Sequence, residues 1–230
     1  MRRRKPRTLF RLLCIALGMT AVALVIYWPA VRPLVPSEKW RFGQRSYDVA
    51  LIKNPRTAAE KIVNRAKMEA RRHVSYDAAY VSIPYPNGDV PTDRGACTDV
   101  IVRALRNAGC DLQRLIYEDK KRNADRYPKY AVNRADYNID HRRVPNHIAF
   151  LRRHGLPLPT DTTGEAARTW KPGDLVYWKL PVNGDHCGVL SNDLNSDGLP
   201  LVIHNLGGAR QEDCLTSWRI VGHYRYPAEN

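Results

Sequence analysis

The apolar positions of this chain fall into three regimes. Residues Leu12 to Trp28 form an uncharged apolar run, extended by Ala30 and Val31. Between residues 57 and 154 apolar residues recur at three- and four-residue spacing, the period of a helix. After Trp170 they gather into short runs rich in Val, Ile, Tyr and Trp, separated by turns, which is the pattern of strands.

In the helical regime, Thr57-Ala58-Ala59-Glu60 has the form of a capping box. It opens a helix with Ala59, Ile62, Val63, Ala66 and Ala70 on one side. A second stripe, Val100, Ile101, Ala104, Leu105 and Ala108, ends at Gly109 and predicts a helix that begins near Cys97. Residues 110–145 are polar and basic, so they read as a solvated excursion that walls one side of a groove. Asn146 to His154 reads as a short helix stopped by Gly155 and Pro157.

In the strand regime, Lys171-Pro172-Gly173-Asp174 has Pro and Gly where a type II turn needs them. Strands are predicted at Leu175–Trp178, His186–Leu190, Leu201–Asn205 and Trp218–Tyr226. Helices followed by an antiparallel meander make the expected class α+β. A hairpin symmetric about Asn195 sets His186 opposite His204 on one face; a one-residue slip sets Asn205 there instead.

Charge adds the topology. Arg2, Arg3, Arg4, Lys5, Arg7 and Arg11 precede the apolar run, and the whole chain carries +14. Segment 1–11 then reads as cytoplasmic and 12–31 as a signal-anchor helix of the inner membrane. Residues 32–56 are a linker, and the domain at 57–227 lies in the periplasm. The competing reading is a secreted protein cut after Ala21-Val22-Ala23. A basic body suits an anionic polymer, and nothing in the chain resembles a nucleic-acid-binding signature. Of the cysteines outside the apolar run, Cys110 and Cys214 are the pair to consider for a disulfide, with Cys97 and Cys187 free.

The candidate chemistry centres on Cys97. At a helix start its thiol feels the positive end of the helix dipole, and nearby amides have no intrahelical partner. A base histidine with an orienting third group completes a nucleophilic site.

The order Cys97, Pro172-Gly173-Asp174, His186-Cys187-Gly188-Val189 and Val202-Ile203-His204 resembles the NlpC-type cell-wall endopeptidases, which are papain-like cysteine hydrolases. More closely, four segments resemble a bacterial family of unknown function within that superfamily. They are Arg94-Gly95-Ala96-Cys97-Thr98-Asp99, Asn138 to Asn146, Val202-Ile203-His204-Asn205, and Gly222-His223-Tyr224-Arg225-Tyr226. The resemblance implies a papain-like fold over 57–227, with Cys97 as nucleophile, His186 as base and His204 as third residue. Arg94, Asp99 and Asn205 are candidate substrate-contacting or supporting residues. The superfamily has Asp before the nucleophile and Ser after it; here Ala96 and Thr98 stand there, and the acid is at Asp99.

The expected function is therefore cleavage of an amide or peptide bond, with peptidoglycan or its peptides as substrate and no cofactor. Two other readings fit the same residues: a non-catalytic module that binds cell wall or a partner, and a zinc site of Cys97, His186 and His204.

Overall fold

The computed structural model describes residues 49–130, 134–182 and 184–228. Helix α1 (Ala58–Arg71) starts at the expected capping box: the Glu60 amide donates to Thr57 Oγ1, and Glu60 Oε2 accepts from the Thr57 amide. Short strands β1 (Ser75–Tyr76) and β2 (Arg94–Gly95) pair in parallel and deliver the chain to α2 (Cys97–Asn107). Helix α2 ends as its sequence requires, with Gly109 at φ 90°. Then come α3 (Leu112–Arg122), α4 (Val144–His154), β3 (Leu156–Pro157) and the single turn α5 (Gly164–Ala167).

The rest is sheet: β4 (Leu175–Lys179), β5 (Asp185–Leu194), β6 (Pro200–Asn205), β7 (Ala209–Glu212) and β8 (Arg219–Arg225). Six strands lie in the order β3-β8-β4-β5-β6-β7, all neighbours antiparallel. The α+β class therefore holds. One sheet face carries Leu175, Tyr177, Cys187, Val189 and Ile203, which pack with Cys97, Val100, Ile101 and Leu105 of α2. The other carries Val176, Trp178, Leu190 and Val202, which pack with Trp170, Cys214 and Leu215.

The Pro172-Gly173 turn closes with Asp174 N–H donating to Lys171 O at 3.1 Å, and Gly173 has φ 85°. A β-carbon there would lie 3.0 Å from the Ala59 backbone, so both conformation and space select glycine. Asp174 is buried and accepts from Arg225 Nε at 2.7 Å, while its other oxygen lies 3.0 Å from His223 Nε2. Trp170 stacks on the His223 ring with centroids 3.6 Å apart. The Pro-Gly-Asp and Gly-His-Tyr-Arg-Tyr segments thus lock β4 to β8.

Five expectations change. Among the described residues no helix is long and apolar enough to cross a membrane. The longest described helix, α1, has 14 residues, rises only ~21 Å and keeps a polar face. The expected inner-membrane, single-pass location is corrected accordingly; the run at 12–31 that suggested it lies outside the described residues.

The stretch 110–145 is no solvated excursion. Helix α3 buries Leu112 and Ile116, and two of its charged residues are buried against partners: Lys120 Nζ donates to Asp140 Oδ1 at 2.8 Å, and Tyr127 O–H donates to Asp119 Oδ2 at 2.6 Å. Polarity concealed the burial because each charge found a partner. Helix α4 starts at Val144, two residues early, because Pro145 occupies its first turn.

The hairpin register also moves. His204 pairs with Gly188, two places along from the expected His186: the turn centres on Asp197, with Leu194 opposite Pro200, and two extra residues in β5 between Leu190 and Leu194 take back half of that four-place offset. An even shift keeps every side chain on its face. Finally, Cys110 and Cys214 are both free: Cys110 packs at the edge of the helix-side core, while Cys214 belongs to the core on the opposite sheet face.

Candidate active site

Cys97 is the first residue of α2. The N-cap before it is Ala96, which has no side-chain oxygen, and Asp99 supplies the return half of a capping box: Ala96 N–H donates to Asp99 Oδ2 at 2.6 Å. The backbone is thereby held so that the Cys97 thiol faces the sheet. A buried thiol would ordinarily resist ionisation. Here hydrogen bonding with the Cys187 side chain, and then hydrogen bonding and charge from His186, hold the Cys97 thiol well below its ordinary 9.0 against the cost of burial. Cys187 moves the opposite way, raised by burial and then by Cys97. Of the two thiols, Cys97 is therefore the easier to ionise and Cys187 the harder.

His186 is the second residue of β5, opposite Trp178 of β4. Its ring stacks on Trp178 at 5.6 Å and meets Trp218 edge-on at 5.7 Å. His186 Nε2 lies 2.8 Å from His204 Nδ1. His204 Nε2 in turn lies 2.6 Å from Glu212 Oε1. His204 is held below its usual value chiefly by burial, with the Glu212 hydrogen bond pulling the other way. Cys97, His186 and His204 are 7%, 1% and 0% exposed.

The supporting candidates divide. Asn205 does not face His186. Its Nδ2 donates to Gly95 O at 2.9 Å and to Val74 O and Ser75 O, and its Oδ1 accepts from the Gly208 amide. It ties the β6 end to the β1–β2 pair and so sets the strand that precedes Cys97. Asp99 is buried against Arg142, whose Nη2 donates to Asp99 Oδ2 at 2.9 Å. With both oxygens engaged by Arg142 and Ala96, it holds the head of α2 and is closed to substrate. Arg94 is half-exposed, 3.6 Å from Asp77.

Four neighbours of the site escaped the sequence reading. Cys187 sits in the same core cluster as Cys97. Tyr76 is 46% exposed, and its phenol is pushed up by burial and then by the nearby Cys97. His147 of α4 is fully buried, with Nε2 2.6 Å from His141 O and Nδ1 3.2 Å from Tyr177 Oη. Glu212 lies on β7, whose Ala-Arg-Gln-Glu sequence has no alternating apolar pattern to announce a strand.

Among the described residues, the group with three ligand-type atoms within 4.8 Å of one another is His204, Glu212 and Cys214. It shares only His204 with the set considered from the sequence. The contact of 2.6 Å between His204 and Glu212 is a hydrogen bond. Two ligands on one tetrahedral zinc would stand roughly 3.3 Å apart, so these residues as placed do not form a metal site.

The family model described as a domain of unknown function, DUF1287, matches residues 63–226. "Uncharacterized protein YijF" of Escherichia coli (strain K12) is 47% identical over 167 residues, covering 72% of this chain and 80% of that protein. No solved structure matches the chain. The chain belongs to the DUF1287 family.

Proposed function

We propose that this DUF1287 protein is a papain-like, NlpC-type cysteine hydrolase that cleaves an amide or peptide bond. The observation that carries the reading is one line of groups: a thiol with a lowered pKa at a helix start, His186 beside it, and His204 2.8 Å behind His186. Nucleophile, base and orienting group in that order are what acyl transfer through a thioester needs.

In this mechanism His186 takes the Cys97 proton and the sulfur attacks the substrate carbonyl carbon. The first-turn amides of α2, lacking intrahelical acceptors, donate to the oxyanion. Collapse of the tetrahedral intermediate breaks the C–N bond, and His186 returns its proton to the leaving amine. A water molecule, deprotonated by His186, then hydrolyses the thioester to a carboxylic acid and frees the thiol. His204 holds the His186 ring in place and accepts a hydrogen bond from it.

The substrate class we favour is peptidoglycan or its stem peptides, in keeping with the NlpC-type motif order and with a net charge of +14 that suits an anionic polymer. Incubating the full-length protein with purified peptidoglycan should release peptide-containing fragments identifiable by mass, and the Cys97→Ala protein should release none. Equal release by both proteins would sink the reading.

A second reading, a binding module on the same fold, is favoured by one observation: Cys97, His186 and His204 are all nearly sealed from solvent. It requires retention of peptidoglycan by the Cys97→Ala protein and an unreactive thiol in the wild type.

A further inference from the structure

The hydrogen-bond line does not end at His204. Glu212 faces it from β7, on the sheet face shared with Val202 and His204, because Glu212 pairs with Val202 across the ladder. Its side chain is 16% exposed, and Oε1 stands 2.6 Å from His204 Nε2. Two nitrogen–acceptor contacts in series have a direction. A carboxylate only accepts, so His204 Nε2 must carry the hydrogen. In neutral His204 the remaining nitrogen, Nδ1, is then a lone pair. It accepts from His186 Nε2–H across 2.8 Å. In neutral His186 the hydrogen is thus on Nε2, and Nδ1 is the nitrogen open to a proton.

We infer that Glu212 is a positioning residue: its carboxylate sets His204 as the Nε2–H tautomer and so presents His186 Nδ1 as the base toward Cys97. This rests on the hydrolase reading for its purpose, though not for its geometry. The charge also matters after proton transfer. Imidazolium at His186 is favoured by the Nδ1 lone pair of His204, which Glu212 polarises through the ring. The carboxylate is the form present. Burial alone would raise Glu212, but the His204 hydrogen bond and the nearby Arg210 outweigh it and hold it below its usual value. The other charged or titratable groups around the line are Arg210, 3.7 Å from Glu212, with Asp213 and the buried Cys214 thiol beside it. At the far end, Cys187, His147, Tyr76 and Asp99 surround Cys97.

The test uses the full chain. Long-range proton–nitrogen NMR of the histidine rings should find Nε2 protonated and Nδ1 unprotonated on His204, and Nε2 protonated on His186. The pH midpoint for Cys97 alkylation should rise by about one unit in Glu212→Gln, the scale of one charge-assisted hydrogen bond. Gln keeps the acceptor oxygen but loses the charge, and its NH2 admits the reverse polarity. Glu212→Asp keeps a carboxylate and should restore most of the midpoint. A wild-type His204 protonated on Nδ1 overturns the inference whether or not any variant folds. So does a folded Glu212→Gln protein with wild-type tautomers and an unchanged midpoint. Failure to cleave peptidoglycan, with tautomers as inferred, counts against the hydrolase reading alone.

Discussion

Asp99 and Arg142, 43 residues apart in sequence, meet 2.9 Å apart with side chains only 3% and 2% exposed. The guanidinium also donates to the carbonyls of Asp77 and Ala79. One buried ion pair therefore joins the head of α2, the segment after β1 and the turn before α4. Removing one member leaves the other charged, buried and unpaired. Asp99→Ala should cost about 3–5 kcal/mol, read as a lower denaturant midpoint. Asp99→Leu combined with Arg142→Met should recover much of that loss. A single variant as stable as the wild type would show that the pair does not hold the helix head.

The three residues in line should differ in their effect on hydrolysis. Cys97→Ala and His186→Ala each remove a group that forms a bond or moves a proton, so each should lower kcat by on the order of 10³-fold or more. His204→Ala removes only the group that orients His186, and the loss should be smaller. Asn205→Ala should act on stability before activity, since Asn205 bonds to backbone and not to His186. The rate of fragment release from peptidoglycan measures all four; a larger defect in His204→Ala than in His186→Ala would reverse the assignment of base and orienter.

The lowered Cys97 pKa has a sign that alkylation reads directly. Thiolate persists below the ordinary cysteine range and disappears as pH falls through the lowered value. At pH 7 Cys97 should therefore alkylate on the order of tenfold faster than a free cysteine, once its lower intrinsic nucleophilicity is allowed for. Cys187, Cys110 and Cys214 all have raised values and should remain slow. Peptide mapping after a short iodoacetamide pulse identifies the labelled residue. Labelling of Cys187 ahead of Cys97 would contradict the assignment of thiolate and thiol.

His141 gives a separate pH effect. Its Nδ1 is buried without a hydrogen-bond partner among the described residues, and burial, followed by repulsion from His147 and Arg142, pushes the ring down to about 3 from 6.5. The folded value is the lower one, so between these two pH values the unfolded chain binds more protons and folding weakens as pH falls. Above pH 6.5 the group contributes no slope. Near pH 3 the loss approaches ~4 kcal/mol by that linkage. Denaturant titrations at pH 7 and pH 4 should show a smaller drop for His141→Leu than for the wild type. Identical drops would place the acid sensitivity elsewhere.

The histidine segments show how far the site could be read without coordinates. Strand alternation assigns His186 and His204 to one face under any even register, which is why a misplaced register still put them together. The Cys97 helix was equally legible, since a regular stripe and a terminal glycine define it locally. Residues 110–145 failed for the opposite reason. Lys120, Asp119 and Asp140 are buried because they meet one another or Tyr127 across the fold, and no local pattern records that.

The sequence by itself determined the strong local signals: the helices α1 and α2 with their caps, which turn follows Trp170, and which side chains share a strand face. These depend on contacts within a few residues, so local order suffices. The tertiary structure decided what those faces meet. It set Cys187 beside Cys97, turned Asn205 to the β1–β2 backbone, sealed Asp99 with Arg142 and brought Glu212 to His204. Each of these joins residues from separate elements, and their partners were fixed only when the sheet packed on α2 and burial required every charge and polar group to find an acceptor or donor.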